Sequence, residues 1–93
     1  MSEVSLQEAM QQFLNQSKLK QRVRSLEIKD LWEDLMGKTI ARYTDDIKLI
    51  NKQLIITTSV APLKQELVFQ KEKIRNRINE LFNEHAVEEV IIK

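Results

Sequence analysis

Apolar residues recur at helical spacing through the first third of the chain, and the pattern then changes to short β-rich runs. Leu6, Met10, Phe13 and Leu14 stand three or four residues apart along much of that stretch, as one face of an α-helix requires. Ser5 ahead of Glu8 has the form of a capping box, in which each side chain satisfies the other's free backbone amide. The polar run Asn15-Gln16-Ser17 interrupts this stripe. A second helical pattern then runs from Lys18 through Leu19, Val23, Leu26, Leu31, Leu35 and Met36, with a kink expected near Ser25. The period then changes, giving two short β-rich runs. Residues 47–50 and 54–58 read as two β-strands, and the polar Asn51-Lys52-Gln53 between them as a hairpin turn. Residues 59–62 read as a helix entrance, because proline in a first turn loses no amide hydrogen bond. Leu63, Leu67, Ile74, Ile78 and Leu81 carry a third helix to about Glu84, and residues 86–93 read as a last strand packed on the sheet.

The expected order is therefore α-α-β-β-α-β. It defines a small α+β fold, a three-stranded sheet with helices packed on one face, in one domain over residues 1–93. The opposite face or one sheet edge is left for a partner.

Composition mainly excludes. Hydrophobic residues make up 42% of the chain and charged residues 31%, with one Gly, one Pro and no Cys, a balance that suits a globular core rather than disorder. Without cysteine there are no disulfides, thiolate metal sites or Cys nucleophiles. A single glycine rules out a phosphate-cradling loop. The lone His85 falls where the third helix should end and reads as a complement to the helix dipole. Asp45-Asp46 read as solvated turn residues, and Glu88 and Glu89 point to opposite faces if they lie on a strand. No metal, cofactor or small-molecule substrate is expected, and the chain reads as a non-enzyme. No apolar run is long enough to span a membrane and the first residues lack a signal-peptide pattern, so a cytoplasmic protein is expected.

Charge distribution adds a positive indication. The net charge is only +1, yet residues 18–24 hold Lys18, Lys20, Arg22 and Arg24 without an acid, and residues 71–77 hold Lys71, Lys73, Arg75 and Arg77 around Glu72. At helical spacing Lys18, Arg22 and Lys29 share a broad face, while Lys20 pairs with Arg24, Lys71 with Arg75 and Lys73 with Arg77. Two such runs in a small domain are the footprint of an anionic ligand such as a phosphate backbone. Aromatic residues for base stacking are few and mostly fall on core stripes; Phe69 lies off its helix's main stripe. Binding is expected to be driven by the nucleic-acid backbone and to weaken with salt.

The chain's only Trp and only Gly stand five residues apart in "LWEDLMGKTIARYT". Trp32, Leu35-Met36-Gly37, Ile40-Ala41 and Thr44 resemble the W-x-x-[IV]-[VL]-G-x-x-[IL]-A-x-x-[ST] signature of the DciA-like family of small bacterial proteins. "QLIITTSV" is similar to the family's second strand, "APLKQEL" to the entrance of its next helix, and "IRNRINELF" to the continuation into the last strand. The resemblance implies a KH-like fold and a role in DNA replication as a loader or operator of the replicative DNA helicase. It further implies DNA as a ligand, single-stranded and bound without sequence specificity. Many members carry a long basic extension that is not seen in this sequence. Within the signature, Trp32, Gly37 and Ile40 read as packing residues: Trp32 as a core anchor, Gly37 as a place where the helix backbone presses close to a neighbour. Two other readings stay open. One is a general DNA- or RNA-binding KH-like module without a helicase role, although the GXXG loop of RNA-binding KH domains is absent. The other is a protein-interaction module that uses a sheet edge.

Overall fold

The computed structural model describes residues 6–93, without the side chains of residues 11–15. The Ser5–Glu8 capping box and the packing of Phe13 and Leu14 lie outside that description. Helix α1, Leu6–Met36, is followed by the short α2, Lys38–Tyr43, and the strands β1, Asp46–Ile50, and β2, Gln53–Thr57. Helices α3, Ala61–Phe69, and α4, Lys71–Phe82, lead into β3, Glu89–Ile92. β2 is central, antiparallel to β1 and parallel to β3.

Alternation along the strands separates the two sheet faces. Ile47, Leu49, Leu54, Ile56 and Val90 are buried on one face, with Ile47 opposite Ile56, and Leu54 flanked by Leu49 and Val90. Helical residues Ile28, Trp32, Leu63, Leu67, Ile74 and Ile78 cover that face and complete one core. The β1–β2 turn is tighter than expected. Ile50 pairs with Gln53, so only Asn51 and Lys52 form the loop, and both have positive φ, 49° and 65°. Two consecutive residues in that region give the type I′ twist that matches paired strands, and asparagine tolerates it best among non-glycines.

The two opening helices divide at a different place from the one expected. Asn15-Gln16-Ser17 does not break α1, because these residues cost only tenths of a kcal/mol each inside a helix. α1 also runs through Ser25, whose hydroxyl donates to the carbonyl of Gln21 one turn back (2.8 Å) and accepts the amide of Leu49 on β1 (2.9 Å). The break falls at Gly37, with φ 91° and ψ 164°. A Cβ built there would meet nothing within 4 Å. The glycine thus answers a backbone requirement rather than a close approach, which corrects the packing role expected for it. We expect Gly37→Ala to cost about 1–3 kcal/mol despite the open space, measured as a lower urea midpoint with an unchanged denaturant slope.

The third helix is also divided. At Gln70, φ −102° and ψ 8°, the chain leaves α3 and restarts as α4. Between Leu67 and Ile74 the buried stripe has no apolar side chain at position 70 or 71, so packing does not hold those residues in a continuous helix. α4 ends at Phe82, two residues short of Glu84, because Asn83 turns into the left-handed region (φ 52°, ψ 35°), a common helix stop. His85 lies beyond that turn and is exposed, which removes it from the last helical turn where the dipole reading placed it.

A cationic groove between α1 and the edge strand

The eight basic residues singled out from the sequence lie on four surfaces, grouped in the pairs that helical spacing gives. Lys18 and Arg22 line a groove between α1 and β1; Lys20 and Arg24 lie on the side of α1 near Phe82. Lys71 and Arg75 flank a depression shared with Glu72, Glu88 and Glu89, and Lys73 and Arg77 flank another shared with Glu72 and Glu80. Acidic neighbours therefore offset both basic pairs of α4. Three of the eight cations are also engaged within the protein. Arg24 pairs with Glu84 and stacks over the Phe82 ring, 4.9 Å from its centroid. Arg77 donates to the backbone carbonyl of Leu35, and Arg75 lies 3.9 Å from Glu72.

Among the described residues, the α1–β1 groove has no acidic residue in its lining, although Asp46 at its end pairs with Lys29 and Lys48. It encloses about 580 Å³, and Leu26, Ile47, Leu49 and Ile50 supply its apolar surface. Lys18, Arg22 and Lys29 reach it from α1 and Lys48 from β1. Asp46, at the head of β1, lies 2.9 Å from Lys29 and 3.7 Å from Lys48, and so bridges the two elements. The Lys29 hydrogen bond is the main reason its carboxyl titrates below the usual aspartate range; burial, the next largest influence, opposes it, and the Ile47 amide and the charges of Lys29 and Lys48 add to the lowering. This replaces the solvated turn expected for Asp46.

β1 is one of the two edge strands of the sheet, and the outward amide of Leu49 has a local partner, donating to Ser25 Oγ. An edge occupied in this way is a poorer template for another strand. Its groove can still receive apolar groups on the floor and anionic groups at the rim.

Sequence reasoning left Lys48 out of the candidate set and used Lys29 only as an extension of the Lys18–Arg22 face. The two lie on different elements, and only the packing of α1 along β1 unites them. The exposed β1 position of Lys48, between buried Ile47 and Leu49, was the available signal.

The signature residues form a corner. Trp32 is 3% exposed, and its Nε1–H donates to Thr44 Oγ1 at 3.0 Å. Thr44 in turn donates to the Ile40 carbonyl at 2.6 Å, while the Ile40 side chain packs against the core. The spacing from Trp32 through Gly37 and Ile40 to Thr44 thus specifies helix, left-handed glycine, helix and polar lock.

Among the described residues no cluster of three or more His, Cys, Asp or Glu could hold a metal ion, and no helix is long and apolar enough to cross a membrane. The arrangement defines a small α+β domain with a helix layer on one sheet face and a cationic groove at the sheet edge. Residues 5–92 match the family model described as Dna[CI] antecedent, DciA, and the chain belongs to that family. The family is associated with helicase loading in DNA replication. Neither a curated protein nor a solved structure gives a match.

Proposed function

We propose that this chain is a non-enzymatic accessory of replicative-helicase loading that holds single-stranded DNA, without sequence preference, in the α1–β1 groove. The observation that carries the reading is the set Lys18, Arg22, Lys29 and Lys48 around an open apolar floor. Phosphates would pair with the rim while bases rest on Leu26 and Ile50, an arrangement that supplies affinity without base-specific readout. Lys20, Lys71 and Lys73 are exposed on other surfaces, and the acids beside Lys71 and Lys73 leave them a lesser part in the reading. Arg24 and Arg77 take a mainly structural part, because their guanidinium groups already tie α1 to α4 and to the chain just beyond it.

The test is fluorescence anisotropy with labelled oligothymidylate over a salt series. Lys18→Glu with Arg22→Glu should weaken binding at least about tenfold, and losing two phosphate contacts should lower the salt slope by about 1.4. Both residues are exposed, so stability should change by no more than about 0.5 kcal/mol. Lys71→Glu with Lys73→Glu should have the smaller effect. Unchanged affinity and slope in the groove variant would remove the groove from the reading. For the helicase, purified replicative helicase should remain bound to the tagged chain after nuclease treatment; release by nuclease would make nucleic acid the bridge.

A further inference from the structure

The two edges of the sheet are finished differently. On β1 the Leu49 amide is taken by Ser25 Oγ. On β3 the ladder to β2 uses alternate residues: Glu89 donates to the Lys52 carbonyl (3.3 Å), while Lys93 donates to Ile56 (2.8 Å) and accepts from Thr58 (2.9 Å). The residues between them point their amide and carbonyl the other way. Both backbone groups of Val90 and Ile92 therefore face outward, and among the described residues no fourth strand covers them. Beside the first half of β3 the flank opens into the depression bounded by Lys71, Glu72 and Arg75 of α4. The side chains of Val90 and Ile92 pack on the core, so those of Glu89, Ile91 and Lys93 lie on the sheet face away from it. Ile91 is half-buried there beside Ile55, with the exposed, oppositely charged Glu89 and Lys93 on either side of it.

We propose that this edge pairs with the same edge of a second copy, antiparallel about a two-fold axis through Ile91. Val90 then faces the partner's Ile92, and this pair, formed twice by the symmetry, exchanges amide–carbonyl hydrogen bonds through the groups that point outward. Glu89 stands opposite the partner's Lys93 at both ends of the pairing. The two Ile91 side chains meet at the axis and join the Ile55–Ile91 row of one sheet to that of the other. The charges select the occupant, because the strand carries its own complement in this register. Registers centred on Val90 or Ile92 set Glu89 or Lys93 against an isoleucine instead. The α1–β1 groove lies at the far edge of each sheet, so the pairing leaves it open and does not rest on DNA binding.

Sedimentation of the full chain over a concentration series, without nucleic acid, should show a reversible monomer–dimer equilibrium. Glu89→Lys should weaken the dimer at least about tenfold, and so should Lys93→Glu, because each sets like charges opposite one another at both ends. An equimolar mixture of the two variants should restore association, since each chain then carries the charge that the other lacks. Both residues are exposed, and far-UV circular dichroism verifies that the fold is intact. Because the sequence has no cysteine, the register can also be read by disulfide capture. Ile91→Cys should cross-link to itself under mild oxidation, as facing residues of a non-hydrogen-bonded antiparallel pair stand about 4.5 Å apart at Cα, within disulfide reach. A chain that stays monomeric at every concentration overturns the proposal and leaves the edge to a strand of another protein. So does a dimer that tolerates either charge reversal, or one whose loss on reversal is not relieved by mixing.

Discussion

Trp32→Ala should lower stability by about 3–5 kcal/mol, the range for removing a large aromatic side chain from a packed core. Domains of this size are stable by roughly 5–15 kcal/mol in total, so the variant should be marginal or unfolded at room temperature. Cavity formation accounts for most of the loss, since Trp32 contacts the core from the middle of the α1 face that covers the sheet. The second part is polar. The indole N–H is the first link of a relay that ends at the Ile40 carbonyl through Thr44. Without the ring, the turn after α2 loses its tie to α1. Trp32→Phe separates the two parts, because it retains much of the volume and drops only the donor; a loss of about 1–2 kcal/mol is expected. Urea unfolding followed by far-UV circular dichroism measures both variants without relying on tryptophan fluorescence. A folded Trp32→Ala protein of near wild-type stability that had lost only partner binding would make Trp32 a contact residue instead.

The strands were readable from local pattern alone. Ile47, Leu49, Leu54 and Ile56 are buried at alternate positions on both sides of a short polar turn, with exposed or half-buried residues between them, and a buried face fixes register because a slip by one residue turns the other face to the core. Helix boundaries were less readable, for two physical reasons. Asn15-Gln16-Ser17 looks like an interruption but contains no residue incompatible with helical dihedrals, whereas Gly37 looks helical by its neighbours and adopts φ 91°. At Gln70 there is neither glycine nor proline, and the break is visible in sequence only as a gap in the apolar stripe between Leu67 and Ile74.

The candidate site was legible as charge but not as geometry. Lys18 and Arg22 could be grouped by helical spacing. Lys48, which completes the rim, is brought beside them by α1 lying along β1 with Ser25 holding the Leu49 amide. Conversely, the i,i+4 pairing of Lys20 with Arg24 is real on the helix, yet Arg24 turns to Glu84 and the Phe82 ring. Spacing places cations on a face; only tertiary packing decides which of them remain available to a ligand.

Asn79→Ala should be the second most damaging change, at about 2–4 kcal/mol, although it removes few atoms. The Asn79 amide makes a two-point clasp with Val87: Nδ2 donates to the Val87 carbonyl at 2.9 Å, and the Val87 amide donates to Oδ1 at 2.8 Å. Val87 is fully buried in the segment that leads from α4 into β3. Truncation leaves a donor and an acceptor without partners inside the core, and each orphaned group costs about 1–3 kcal/mol. The clasp matters to topology as well. β3 joins the sheet through a parallel pairing with β2 alone, and the loop before it contains no other backbone-to-side-chain tie among the described residues. Asn79→Asp discriminates the two bonds, since a carboxylate keeps the acceptor for the Val87 amide but sets a negative charge against its carbonyl; it should be no better tolerated than alanine. Native-state hydrogen exchange at the Val87 amide reads the clasp directly, with protection expected to fall at least about tenfold in Asn79→Ala. Unchanged protection together with an unchanged urea midpoint would show that the loop is held by apolar packing of Ala86 and Val87, and that the paired hydrogen bonds contribute no net stability.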